Sequence, residues 1–208
     1  MFTNNWFEIT AKANFEKYVL PLTTENRPLY FLEIGCYEGQ ATCWMLENTD
    51  AKVTVIDTFQ GSKEHDSQFE KTLLARFEEN TDPYNIVLTT LMGMSQRHLR
   101  VLDFDYYDFI YVDGSHQASD VLEDAVLAFP LLKEGGIMIF DDYTWGAGMD
   151  YYDIPVTGID AFLRVYGNQL EIIEKNSQVI IRKNTPLPVN TIEASKIKPG
   201  QMTPPPVQ

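Results

Sequence analysis

The chain has 208 residues, 44% of them hydrophobic, with 30 acidic against 16 basic side chains and a formal charge of −14. That length and apolar content suffice to bury one full core, and the charge repels phosphate backbones and anionic lipid, so neither nucleic acid nor a membrane is expected as a partner. No apolar run approaches the roughly 18 residues that span a bilayer. Trp6, Glu8 and Lys12 interrupt the stretch that a signal peptide would keep apolar, and a cytoplasmic location is expected.

Residues 29–34, LYFLEI, form a near-continuous apolar run ending in an acid and a glycine, which suits a strand buried on both faces. A helix follows from about Gly39 to Asn48; Cys36 and Cys43, just before and inside it, read as free, partly buried thiols. The pattern repeats with a strand VTVID at 53–57, a helix near 68–80, a strand NIVLTT at 85–90 and a helix near 95–102. It repeats again with a strand DFIYVD at 108–113, a helix near 117–129 and a strand GIMIFDD at 136–142. Strands alternating with helices of this length predict a parallel sheet with right-handed crossovers, an α/β, Rossmann-like three-layer sandwich. Gly135 and Gly136 are expected to stop the helix that precedes the fifth strand. In that helix Val121, Ala125 and Phe129 make the buried stripe, and Asp120, Glu123 and Asp124 are assigned to a solvated face. After a Gly/Tyr/Asp-rich loop at 143–157, Ile159, Phe162, Leu163 and Tyr166 have helical spacing, ended by Gly167. LEIIEK and QVIIRK around Asn176-Ser177 then predict a β-hairpin. The folded domain is expected to span residues 1–183. Residues 184–208 hold six of the eleven prolines and no aromatic residue, so they are expected to form a disordered tail.

The chemistry-bearing residues sit at the carboxyl ends of the predicted strands. The first βα turn runs Glu33-Ile34-Gly35-Cys36-Tyr37-Glu38-Gly39; its glycines permit a tight turn against a ligand, and the helix beyond favours a ligand carboxylate. Asp57 ends the next strand, where a carboxylate can accept hydrogen bonds from both ribose hydroxyls. A nicotinamide dehydrogenase would share that acid but needs G-x-G-x-x-G for the pyrophosphate; Tyr37 and Gln40 occupy the second and third glycine positions and obstruct it. Asp113 ends the fourth strand and Asp141-Asp142 the fifth, so three carboxylates converge at the crevice in a set suited to Mg²⁺ or a similar divalent ion.

LEIGCYEGQAT at 32–42 resembles the first motif of metal-dependent O-methyltransferases such as the catechol enzymes, and GMSQRHL at 93–99 is similar to their adenine-contacting segment. Residues 111–143 resemble more closely the family that includes macrocin-type sugar O-methyltransferases. The resemblance covers roughly residues 30–145. It implies a class I methyltransferase with a seven-stranded, mostly parallel sheet of order 3-2-1-4-5-7-6, strand 7 antiparallel. It further implies S-adenosylmethionine as cofactor, held by Glu33, Gly35, Tyr37, Gly39, Asp57, Ser95, Gln96 and Asp113, with a divalent ion on Asp113, Asp141 and Asp142. Asp142 stands where the catechol pattern has Asn. His116, three residues after Asp113, stands where that pattern has its lysine base, and can take a hydroxyl proton near pH 7. Asp113 and His116 are therefore the expected catalytic residues. The expected acceptor is a hydroxyl of a small molecule, sugar-containing or other; a metal-free enzyme using His116 alone, or a binding module without turnover, are the alternatives. A homodimer is left open. Trp6, Phe7, Tyr143, Trp145, Tyr151 and Tyr152 are candidates for an aromatic cover, and His65 is a weaker acceptor-side candidate.

Overall fold

The computed structural model describes residues 2–24, 26–61 and 67–184; the expected tail beyond Asn184, like His65, lies outside them. A seven-stranded sheet runs in the order β3-β2-β1-β4-β5-β7-β6, the order implied by the resemblance. Its strands are β1 (Tyr30–Ile34), β2 (Lys52–Asp57), β3 (Leu88–Met92), β4 (Tyr107–Val112), β5 (Leu132–Phe140), β6 (Leu170–Lys175) and β7 (Val179–Lys183). β1 to β5 pair in parallel, and β7 runs antiparallel to both β5 and β6. The helices are α1 (Trp6–Thr10), α2 (Lys12–Asn14), α3 (Gln40–Asn48), α4 (Ser67–Thr81), α5 (Ser95–His98), α6 (Ala118–Ala128) and α7 (Pro155–Tyr166). No helix among the described residues is long and apolar enough to cross a membrane.

Period-2 alternation sends the strand residues to two separate cores. Phe31, Val53, Val55, Phe109 and Tyr111 face one layer with Phe7, Phe15 and Trp44; Leu32, Ile34, Ile110, Met138 and Phe140 face the other with Val121, Phe129 and Phe162. Phe15, in a π-helical stretch at Phe15–Val19, meets the rings of Phe7, Phe109 and Tyr111 edge-on, each at 5.0 Å. Burying such a ring stabilises the fold by about 2–3 kcal/mol, so the N-terminal helices are anchored on the sheet rather than draped over it.

Two boundaries differ from expectation. Residues 85–87 form a turn rather than the start of β3: Val87 N–H closes on the Tyr84 carbonyl at 3.0 Å and Ile86 is exposed. Gly135 and Gly136 do not stop a helix, because α6 already ends before a 3₁₀ turn, Phe129–Leu131, that carries Pro130. They lie inside β5 at a bulge: Tyr107 pairs with Leu132, but Phe109 pairs with Ile137. Gly135 takes φ +75° there, a left-handed conformation that a side chain would strain.

Candidate active site

The sheet order reverses between β1 and β4, and the turn after β1 lies at that switch point. Gly35 has φ +80°, and a Cβ there would stand 2.1 Å from the Asp113 carbonyl oxygen and 2.5 Å from Gly114 Cα. Only glycine lets the loops after β1 and β4 approach so closely. Tyr37 also takes positive φ, and Gly39, at φ +84°, caps α3 against the Phe77 ring. Asp57 holds this turn: one carboxylate oxygen accepts from Cys36 N–H at 2.8 Å and Tyr37 N–H at 3.0 Å, the other from Phe59 N–H at 2.7 Å. The N-terminal segment lies against the same turn. Buried Glu38 accepts from the Thr3 amide at 2.7 Å and hydroxyl at 2.9 Å; Gln40 donates to the Asn4 carbonyl at 2.7 Å; the Trp6 ring is 5.4 Å from Tyr37.

Beneath the turn Glu33 is 1% exposed and accepts from the Thr42 hydroxyl at 2.5 Å. Burial pushes its carboxyl up to about 8, against the Thr42 hydrogen bond and with added repulsion from Asp57. Glu33 therefore sits behind the turn as a neutral acid over much of the physiological range, not on the crevice surface. Burial also drives Asp113 well above the usual carboxylate range, and Asp141, Asp142 and Glu33 add repulsion. Asp141 is raised by burial and by Asp142. Its oxygens are already engaged, one by the Tyr111 hydroxyl and the other by Asp142 N–H at 2.8 Å.

Asp142, at φ +55°, turns its carboxylate toward His116, whose Nε2 lies 2.8 Å away. The Trp145 ring lies against the imidazole, with centroids 4.2 Å apart and the planes tilted by 42°. Asp113, Gly114, His116, Asp141, Asp142 and Pro155 line one concavity at the carboxyl ends of β4 and β5. The three expected metal ligands thus gather as the sequence implies, but they do not fit an ion as arranged: Asp141 is bonded within the protein and Asp142 to His116. Among the described residues no group of three or more His, Cys, Asp and Glu is disposed to hold a metal.

On the other side of the switch point, Gly93 N–H binds the Asp57 carbonyl at 2.9 Å and joins the loop after β3 to the end of β2. Ser95 opens α5, with Gln96 next to it, and its hydroxyl donates to Asp124 at 2.6 Å. The solvated face assigned to Asp124 is corrected here: it is 2% exposed. Val121, Asp124, Ala125 and Ala128 are all buried on α6, and their i, i+3, i+4, i+7 spacing was the available signal. Burial pushes Asp124 up to about 7, opposed by the Ser95 bond and reinforced by Asp120 and Glu123. Of the aromatic candidates, Phe7 belongs to the core, and Tyr143 is occupied by Asp160 at 3.0 Å and by the Lys175 ammonium over its ring. Trp6, Tyr151 and Tyr152 are exposed.

Comparison with known proteins places this arrangement. A family model described as a methyltransferase domain matches residues 32–143, from the middle of β1 to just past β5. An uncharacterised protein of Acanthamoeba polyphaga mimivirus is 27% identical over 134 residues, which cover 58% of this chain and only 54% of that protein. Among solved structures, the O-methyltransferase NovP superposes with a TM-score of 0.63 at 19% identity, over 83% of this chain and 79% of that one. The MycE methyltransferase of the mycinamycin biosynthetic pathway, in complex with Mg and SAH, gives a TM-score of 0.57 at 14% identity, over 83% of this chain and 48% of that one.

Proposed function

The chain belongs to the methyltransferase-domain family with the class I fold, and on that premise we propose that it moves a methyl group from S-adenosylmethionine to a hydroxyl of a small-molecule acceptor, with His116 as base. The observation that carries this is the His116–Asp142 pair at 2.8 Å in the concavity beside the glycine turn. Asp142 holds the His116 imidazole through Nε2 and so sets the orientation of the ring. The acceptor O–H gives its proton to the imidazole while the oxygen attacks the methyl carbon; the C–S bond breaks and S-adenosylhomocysteine leaves with a neutral sulfur. Asp142 fixes the ring and stabilises the imidazolium that forms, and Trp145 limits water at its face.

The cofactor would lie across the switch point: the methionyl end on the turn from Gly35 to Gly39, the ribose at Asp57, and the adenine toward Ser95 and Gln96. Glu33 and Asp113 act from below and beside it as acids whose ionisation the cationic sulfonium favours. A hydroxyl acceptor is supported by the imidazole base and by O-methyltransferases among the structural neighbours. Nothing in the donor set narrows the acceptor to a sugar.

A second reading keeps a divalent ion, favoured by the convergence of Asp113, Asp141 and Asp142 and by the Mg in the MycE complex. It requires Asp142 to exchange His116 for the ion. Methyl transfer to a panel of phenols and sugars, followed by S-adenosylhomocysteine release with and without EDTA, tests both. Turnover that survives EDTA and is lost in His116→Ala supports the first reading. Turnover abolished by EDTA and restored by Mg²⁺ supports the second.

A further inference from the structure

Asp124 is out of place by every packing rule. It shares the buried stripe of α6 with Val121, Ala125 and Ala128, where leucine would fill the same space without a desolvated carboxyl. Its two oxygens face the two loops that line the crevice. One accepts the Ser95 hydroxyl at 2.6 Å, in the loop after β3; the other would lie 3.7 Å from a Cβ on Gly114, in the loop after β4. The charged neighbours that act on it are Asp120 and Glu123 of its own helix, and Glu123 is itself bound to Arg100, from the segment after α5, at 2.7 Å.

A serine hydroxyl has one hydrogen and two lone pairs. Once its hydrogen is committed to a buried carboxylate, it can only accept from anything else. We propose that Asp124 is a positioning residue that fixes Ser95 as a hydrogen-bond acceptor, so that the site reads the exocyclic amine of an adenine base and rejects a 6-oxo purine. This rests on the reading of the loop at Ser95 and Gln96 as the adenine contact. The 6-amino group donates to the serine oxygen, whereas a 6-oxo group would set lone pairs against lone pairs. Without Asp124 the hydroxyl is able to rotate and donate, and the two bases become equivalent at this point.

The test is calorimetric titration at pH 8.5 of S-adenosylhomocysteine and its deaminated analogue, S-inosylhomocysteine, into wild type, Ser95→Ala, Asp124→Leu and Asp124→Asn, with thermal melting to verify the fold. Asp124→Ala takes the place of the leucine variant should that one not fold. Wild type should prefer the adenosyl compound by roughly 10-fold or more, as one misdirected hydrogen bond allows. Ser95→Ala and Asp124→Leu should lose most of that preference, and Asp124→Asn, whose amide oxygen still accepts from Ser95, should retain it. A merely structural Asp124 would weaken both ligands equally and leave the ratio unchanged. If Ser95→Ala loses the preference and Asp124→Leu and Asp124→Ala keep it, the role of Asp124 is overturned while the adenine contact stands. If Ser95→Ala keeps it, or wild type binds neither compound, the adenine reading itself fails and this proposal with it.

Discussion

Replacing Glu33 by glutamine asks whether the carboxyl under the glycine turn carries a proton in the folded chain. Glu33 is 1% exposed, and burial raises it from the ordinary 4.5 to about 8. Because the folded value lies above the unfolded one, the folded chain holds a proton that the unfolded chain has released throughout that window. The resulting stability is complete below pH 4.5 and is lost progressively as pH rises toward 8. Each pH unit in the window costs up to about 1.4 kcal/mol, so the whole interval amounts to on the order of 4 kcal/mol. Glutamine has the shape of the protonated acid and keeps an oxygen for the Thr42 hydroxyl, but it cannot ionise. Wild type and Glu33→Gln should therefore match at pH 5, and the variant should lead by about 2–4 kcal/mol at pH 8. Urea unfolding at pH 5, 6.5 and 8, with equal slopes in the two proteins, measures this. Two stability curves that stay parallel across that range would refute the reasoning, since a purely steric effect of the substitution has no pH dependence.

Gly35→Ala should destabilise the protein by about 3 kcal/mol or more, combining the left-handed backbone with a Cβ driven into the Asp113 carbonyl; a wild-type melting temperature would contradict that contact. Asp142→Asn should lower turnover roughly 100-fold while S-adenosylhomocysteine affinity stays within about 2-fold, because the change touches the base and not the cofactor turn. Single-turnover kinetics beside calorimetry separate the two, and unchanged turnover removes the dyad. The ratio of S-adenosylmethionine to S-adenosylhomocysteine affinity should rise roughly 3- to 10-fold between pH 6 and 8.5, as Glu33, raised to about 8, ionises behind the turn that would hold a sulfonium only the first ligand carries. Glu33→Gln should flatten that rise; a flat wild-type profile would separate Glu33 from the sulfonium.

The sheet was legible because its central strands β1 and β4 are buried on both faces and the strands alternate with helical stretches, a pattern that leaves few topologies. The boundaries that failed turn on local chemistry that composition hides. Gly135-Gly136 suits a helix stop and a β-bulge equally, and only the register of β5 against Tyr107 and Phe109 decides. Of the site, the glycine turn, Asp57 and the convergence at the ends of β4 and β5 followed from position alone. Their hydrogen bonds did not, because these depend on distances between loops far apart in sequence. Asp57 binds the turn amides, Asp141 is engaged by Tyr111, and Asp142 by His116. Asp124 was legible in principle, since it falls on the apolar spacing of α6, and a charged residue on that stripe calls for a buried partner.

These buried acids share a physical logic. Glu33, Asp113, Asp141 and Asp124 are all raised by burial, so each destabilises the folded chain once ionised. Three stand at the switch point between β1, β4 and β5, where a cationic sulfonium would be neutralised by carboxylates. The fourth fixes a hydroxyl at the neighbouring loop. Methyl transfer removes the positive charge from the ligand, and the acids that favoured the cationic cofactor then favour the neutral product less. On the proposed reading these acids, once ionised, would hold the cationic reactant more tightly than the neutral product, and the fold would weaken over the same rise in pH.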